Sequence, residues 1–133
     1  MANEWTLVYE TELPIPMTCA DGAGMEKGTG CKLADPATVS ASSADNDLFG
    51  GVTAAEKIAS DGVTKVPVYF GGVFKAVAGA AGVTAGKPVV YSGANLLVDT
   101  TAADNDLGYT VGKALETAAN GETFLVFVGK GNC

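Results

Sequence analysis

The chain has 133 residues, 47% of them hydrophobic and 17% charged, with 18 glycines; this is enough apolar material for one compact core, with many positions suited to turns and strand ends rather than long helices. It contains no histidine, which excludes an imidazole base, a His-bearing triad and a His-ligated metal. Eight basic residues against fifteen acidic ones leave a formal charge of −7, which repels phosphate backbones and makes nucleic acid an unexpected partner.

The chain opens on MANEWTLVYETELP, without the basic stretch and apolar run of a secretion signal, and Glu4, Glu10 and Glu12 interrupt any such run. Residues 1–12 are expected to form an extended arm. Trp5-Thr6-Leu7-Val8-Tyr9 holds the only tryptophan of the chain in a segment that no repeat requires. Two readings fit it: an extra strand covering the β domain, or an arm that docks on another chain by β-augmentation, with Trp5, Leu7, Val8 and Tyr9 as the partner-binding residues.

Cys19, Cys31 and Cys133 form neither a CxxC pair nor zinc-finger spacing, and their odd number suits reduced thiols. The stretch Asp21 to Gly28 lacks both the dinucleotide-binding spacing and the GK[ST] of a phosphate loop, so no nucleotide is expected.

The run Ala44-Asp45-Asn46-Asp47-Leu48 recurs as Ala103-Asp104-Asn105-Asp106-Leu107. The same spacing pairs Val52 with Val111, Ala59 with Ala118, Gly62 with Gly121, Thr64 with Thr123 and Gly72 with Gly131. A spacing one residue shorter aligns Ala20, Ala23, Gly24 and Gly28 with Ala78, Ala81, Gly82 and Gly86. Residues 13–133 therefore read as a single β domain of two units, about 13–72 and 71–131. The Asp-Asn-Asp runs do not have the spacing of a calcium loop, and Asx turns account for them. The upstream alignment sets Cys19 and Cys31 against Val77 and Val89, the pattern of small buried hydrophobes.

Gly51 to Ile58 and Val111 to Ala118 suit short strands, with one helical turn as the alternative. Thr64 to Phe70 and Thr123 to Val128 are β-branched and aromatic, and each follows a turn signal, Asp61-Gly62 or Asn120-Gly121. Pro67 places the first of these strands at an edge or a bulge. Pro88 to Tyr91 and Asn95 to Val98 flank Ser92-Gly93-Ala94 as a hairpin. The apolar stretch Val68 to Tyr91 is broken by Lys75 and Lys87, so no membrane span is expected. Many short strands separated by glycine-rich turns predict an all-β fold, a small barrel or sandwich of two tandem units. Glu56 and Glu116 occupy neighbouring positions of the two repeats, but solvated surface acids are far commoner than catalytic pairs. No catalytic residue, cofactor or metal site is expected.

The segments Gly51-Val52-Thr53-Ala54-Ala55, Asp61-Gly62 to Val68, Gly72-Val73-Phe74, Val83 to Tyr91, and Val111 to Glu116 through Gly121-Glu122-Thr123 to Val128 resemble the small capsid cement, or head decoration, proteins of tailed double-stranded DNA phages. The likeness covers roughly residues 48–128, and Thr29-Gly30-Cys31-Lys32-Leu33 departs from it where the second unit has Lys87-Pro88-Val89-Val90-Tyr91. The resemblance implies a β-rich structural protein without enzymatic activity, made in the host cytoplasm and bound to the outer surface of the virion head. There it would bridge subunits of the major capsid protein, often as a homo-oligomer, with a trimer favoured. The alternative is a carbohydrate- or host-surface-binding β module, with Trp5, Tyr69, Tyr91 and Tyr109 as stacking rings.

Overall fold

The computed structural model describes residues 4–45, 47–100 and 110–129; the second Asp-Asn-Asp run, Tyr109 and Cys133 lie outside them. Short β-branched and aromatic segments between tight turns give eleven strands and, among the described residues, no helix. After β1 (Thr6–Tyr9), the strands β2 (Ile15–Thr18), β3 (Gly30–Ala34), β4 (Thr38–Ala41), β5 (Phe49–Thr53) and β6 (Lys65–Tyr69) close into a first barrel in the order β2-β4-β3-β5-β6. Then β7 (Gly72–Ala78), β8 (Pro88–Tyr91), β9 (Leu96–Asp99), β10 (Gly112–Ala114) and β11 (Thr123–Val128) form a second.

The pairings of the second barrel repeat those of the first. β7 runs parallel to β9 as β2 does to β4, and the other neighbours are antiparallel in both. Alternation along each strand sends one set of side chains inward. Cys19, Met25, Cys31, Val39, Val66 and Val68 fill the first barrel, while Phe74, Ala76, Val89, Leu97, Phe124, Val126 and Val128 are buried within the second.

Backbone hydrogen bonds fix which residues correspond, and they correct part of the alignment read from the sequence. Gly28 donates to the Thr53 carbonyl and Gly86 to that of Ala114, and Cys19 donates to Thr64 as Ala78 does to Glu122. Gly28 therefore matches Gly86, and Cys31 matches Val89, as expected. Val52, however, corresponds to Lys113 rather than Val111, Thr64 to Glu122 rather than Thr123, and Cys19 to Ala78 rather than Val77. Matching glycines in turns of unequal length pulled the sequence alignment out of register, because similar letters do not report ladder pairing.

The expected hairpin is present, with Val90 opposite Val98 and Tyr91 opposite Leu97. The Gly51–Ile58 run is strand only as far as Thr53, and its tail touches Met25 at Lys57 through an isolated bridge. Pro67 lies neither on an edge nor at a bulge, since β6 has neighbours on both sides. It is tolerated because the β5 ladder ends at Thr53 opposite Val68, and only the Pro67 carbonyl is needed, as acceptor for Ala54 (2.8 Å). At the matching Leu125 an amide is present, and the Glu116 carboxylate accepts from it (3.0 Å).

The arm supplies β1, which pairs antiparallel with β7 and bulges at Val8, so that Leu7 lies opposite Phe74 and Tyr9 opposite Val73. Among the described residues the first barrel has no such sixth strand, and its sequence explains why. In β2, Cys19 donates toward β6 and Thr18 toward Ala37 on the β4 side, so the amides of residues 14 and 16 would face the open edge. Both are proline, whereas their counterparts in β7 are Val73 and Lys75, which face β1. Proline removes the donors that strand addition needs. Replacing Pro14 and Pro16 together by threonine is expected to accelerate aggregation on mild heating without lowering Tm; light scattering that matches the wild type would refute this edge protection.

Candidate interaction site

The junction between the barrels carries a set of specific aromatic and hydrogen-bond contacts. Trp5 is held by both: its amide donates to the Gly28 carbonyl (2.8 Å) of the first barrel, and its indole N–H donates to the Asn95 carbonyl (3.1 Å) of the second. Its ring lies 6.3 Å from both Phe74 and Tyr91. Gly30 makes room for this, because a Cβ there would sit 2.9 Å from the Tyr91 ring and 3.2 Å from the indole.

Asn95 closes the junction from the hairpin of the second barrel. Its φ of 62° is left-handed, a conformation asparagine tolerates better than most residues. Its Oδ1 accepts from the Gly30 amide (2.7 Å) and its own amide donates to Ser42 Oγ (3.0 Å). The Tyr91 hydroxyl donates to the Cys31 carbonyl (2.8 Å), and burial raises its pKa well above that of an ordinary phenol.

Of the two readings of the arm, the burial of Trp5, 4% exposed, is that of a strand covering the β domain. Leu7 is half-buried against the same core. Val8 and Tyr9 are exposed, so of the four arm residues these two are accessible. The rings proposed for carbohydrate stacking fare similarly: Trp5 and Tyr91 are buried, and Tyr69 packs on Phe74 while donating from its hydroxyl to Glu10 (2.9 Å).

The other candidate groups have structural partners. Cys31 and Cys19 are buried, reduced thiols. Burial, with Cys19 nearby, pushes the Cys31 thiol up to about 12, which keeps it protonated and unreactive. Asp47 Oδ2 accepts from the amides of Ser43 and Ala44 (2.8 and 3.0 Å), as a turn-forming carboxylate does. Glu56 and Glu116 sit on loops of different barrels, and Glu116 is engaged with Leu125.

Sequence reasoning missed Lys57. Its ammonium is buried at the end of the first barrel and donates to Asp21 Oδ1 (3.2 Å), Asp61 Oδ1 (2.8 Å) and the carbonyls of Asp21 and Ile58 (3.1 and 2.6 Å). The second barrel has Ala118 there, bridged to Val83 as Lys57 is to Met25, so the ion cluster is an addition to one copy. Burial pulls the Lys57 pKa down, but hydrogen bonds to Asp61 and Asp21 outweigh it and the net shift is upward. The Lys57 hydrogen bond, aided by the Val63 amide, holds Asp61 below the usual carboxylate value of 3.8.

Asp61 adds stability above its unfolded pKa that is lost as pH falls through its lower folded value. Lys57 adds stability below its unfolded pKa that is lost as pH rises through its higher folded value. In Lys57→Met, Tm is expected to drop at neutral pH and the acid and alkaline declines in Tm to become shallower; a profile parallel to the wild type from pH 2 to 11 would show that the cluster is not linked to folding.

Two tandem barrels, joined by an aromatic and amide seam, define an all-β protein of duplicated architecture. A family model described as phage cement protein matches residues 9–129, and the chain belongs to that family of capsid-associated phage proteins. Among solved structures, the N base of the head fiber gp8.5 of bacteriophage phi29 has a similar fold, with a TM-score of 0.58 at 15% identity, covering 90% of this chain and 96% of that one. No curated protein matches the chain.

Proposed function

We propose that this protein binds the exterior of an assembled phage head and, without catalysis, stabilises contacts between neighbouring subunits of the major capsid protein. The observation that carries this reading is the family match, which spans both barrels rather than one. The fold supports it. Closed barrels resist opening at their edges, and a chain with Cys19 and Cys31 buried and its Lys57 ion cluster internally satisfied adds interface without adding chemistry. Modest contacts suffice when one assembly touches several shell subunits, because each later contact forms at high effective concentration. The exposed Val8 is the arm residue that would meet such a partner. The test is direct: purified protein added to undecorated heads should bind saturably and raise their resistance to heat, and absence of binding would overturn the reading.

A further inference from the structure

The barrels are copies, yet they meet through different parts of their surfaces. The first contributes the outward row Tyr69, Val52 and Gly30, register partners across β6, β5 and β3. The second contributes its end, where Phe74, Tyr91 and Asn95 lie. The backbone correspondence identifies the unused copy of each surface. The row recurs on the second barrel as Phe127, Lys113 and Pro88; the end recurs on the first as Ile15, Leu33 and Ala37. Both are open in the chain, with Phe127 37%, Ile15 47% and Leu33 37% exposed.

We propose that a second copy of this chain docks head-to-tail, the Ile15 and Leu33 end of its first barrel seated on the Phe127 row of the second barrel. This pairs between chains the same two surfaces that meet within one, with Ala37 in place of Asn95 and Pro88 in place of Gly30. A heterologous contact of this kind closes into a ring when its rotation permits. The oligomer implied by family resemblance does not specify this pair of surfaces; the internal duplication does.

The chemistry of the two faces is complementary. The Phe127 row continues through Val73 to Tyr9, which is 66% exposed, giving an apolar strip across three strands. Its charges are Lys113 within the row and Lys75 one row away, opposite Thr6 and Leu125. Glu12 borders Phe127 at one side, and Glu116 is held by the Leu125 amide. The opposing end carries Asp35 in the exposed turn after Leu33. A symmetric pairing of the Phe127 face with itself would set lysines against lysines, whereas the head-to-tail arrangement sets them against a carboxylate.

Sedimentation equilibrium of the full chain provides the test, with folding checked by circular dichroism. Wild type should self-associate, and Phe127→Asp and Ile15→Asp should each weaken association about tenfold or more. Tyr9→Ser provides a second probe of the row should Phe127→Asp not fold. An equimolar mixture of Phe127→Asp and Ile15→Asp should give a dimer, since each retains the face the other lacks. A monomeric wild type, a variant that associates like wild type, or a mixture without dimer would each overturn the proposal. If Phe127→Asp associates normally but fails to bind heads, the row belongs to the shell instead, and the proposed function stands without this interface.

Discussion

Trp5→Ala is expected to reduce the free energy of unfolding by about 3–5 kcal/mol, as large-to-small changes at buried aromatic sites do. That is a large part of the roughly 5–15 kcal/mol available to a small protein. The indole is lost from a site where it touches Phe74 and Tyr91 and donates to Asn95, and Gly30 offers no side chain to fill the space. Urea denaturation followed by circular dichroism measures the change, and Trp5→Phe should recover part of it. Trp5 is the only tryptophan of the chain, so the wild type should show blue-shifted emission that moves red on unfolding. Head binding by Trp5→Ala should follow the folded fraction. A variant of wild-type stability that no longer binds would make Trp5 a surface anchor and contradict its burial.

Asn95→Ala carries the second large effect, on the order of 3 kcal/mol, from two sources. The buried Gly30 amide loses its acceptor, and alanine is strained at a φ of 62°. Asn95→Gly separates the two, since glycine accepts the backbone conformation without restoring the acceptor. It should regain roughly 1 kcal/mol of the loss. Equal stability of the two variants would mean that the left-handed backbone contributes nothing, and wild-type stability of both would remove Asn95 from the junction. The corresponding Ala37 also has positive φ, 46°, so the turn conformation belongs to both copies while the asparagine belongs to the one that packs on the other barrel of the same chain.

Val66, Val68, Phe124 and Val126 alternate with outward residues, and that alternation predicted strands that the structure contains. The repeated turn signals Asp61-Gly62 and Asn120-Gly121 carry left-handed glycines, with φ of 85° and 83°. The alignment of Cys19 and Cys31 with hydrophobic positions of the other unit indicated burial, which both show. Lys57 gave no local signal, because a lysine between Glu56 and Ile58 resembles any exposed loop cation; Asp21, which shares it with Asp61, comes from a distant turn. Asn95 had a weak signal, as asparagine after Ser92-Gly93-Ala94 suits a left-handed turn, but its partners Gly30 and Ser42 are in the other barrel.

Strand alternation and turn chemistry act over a few neighbouring residues, so local patterns are enough to specify an all-β chain of two copied units. Those forces distinguish the inside of a barrel from its outside. What covers the outside is decided by contacts between groups such as Trp5 and Asn95, which are 90 residues apart. Only the tertiary structure therefore decided that Trp5 seals the seam between the barrels, that Tyr69 is covered while Phe127 is open, and that the two copies present different surfaces to their surroundings.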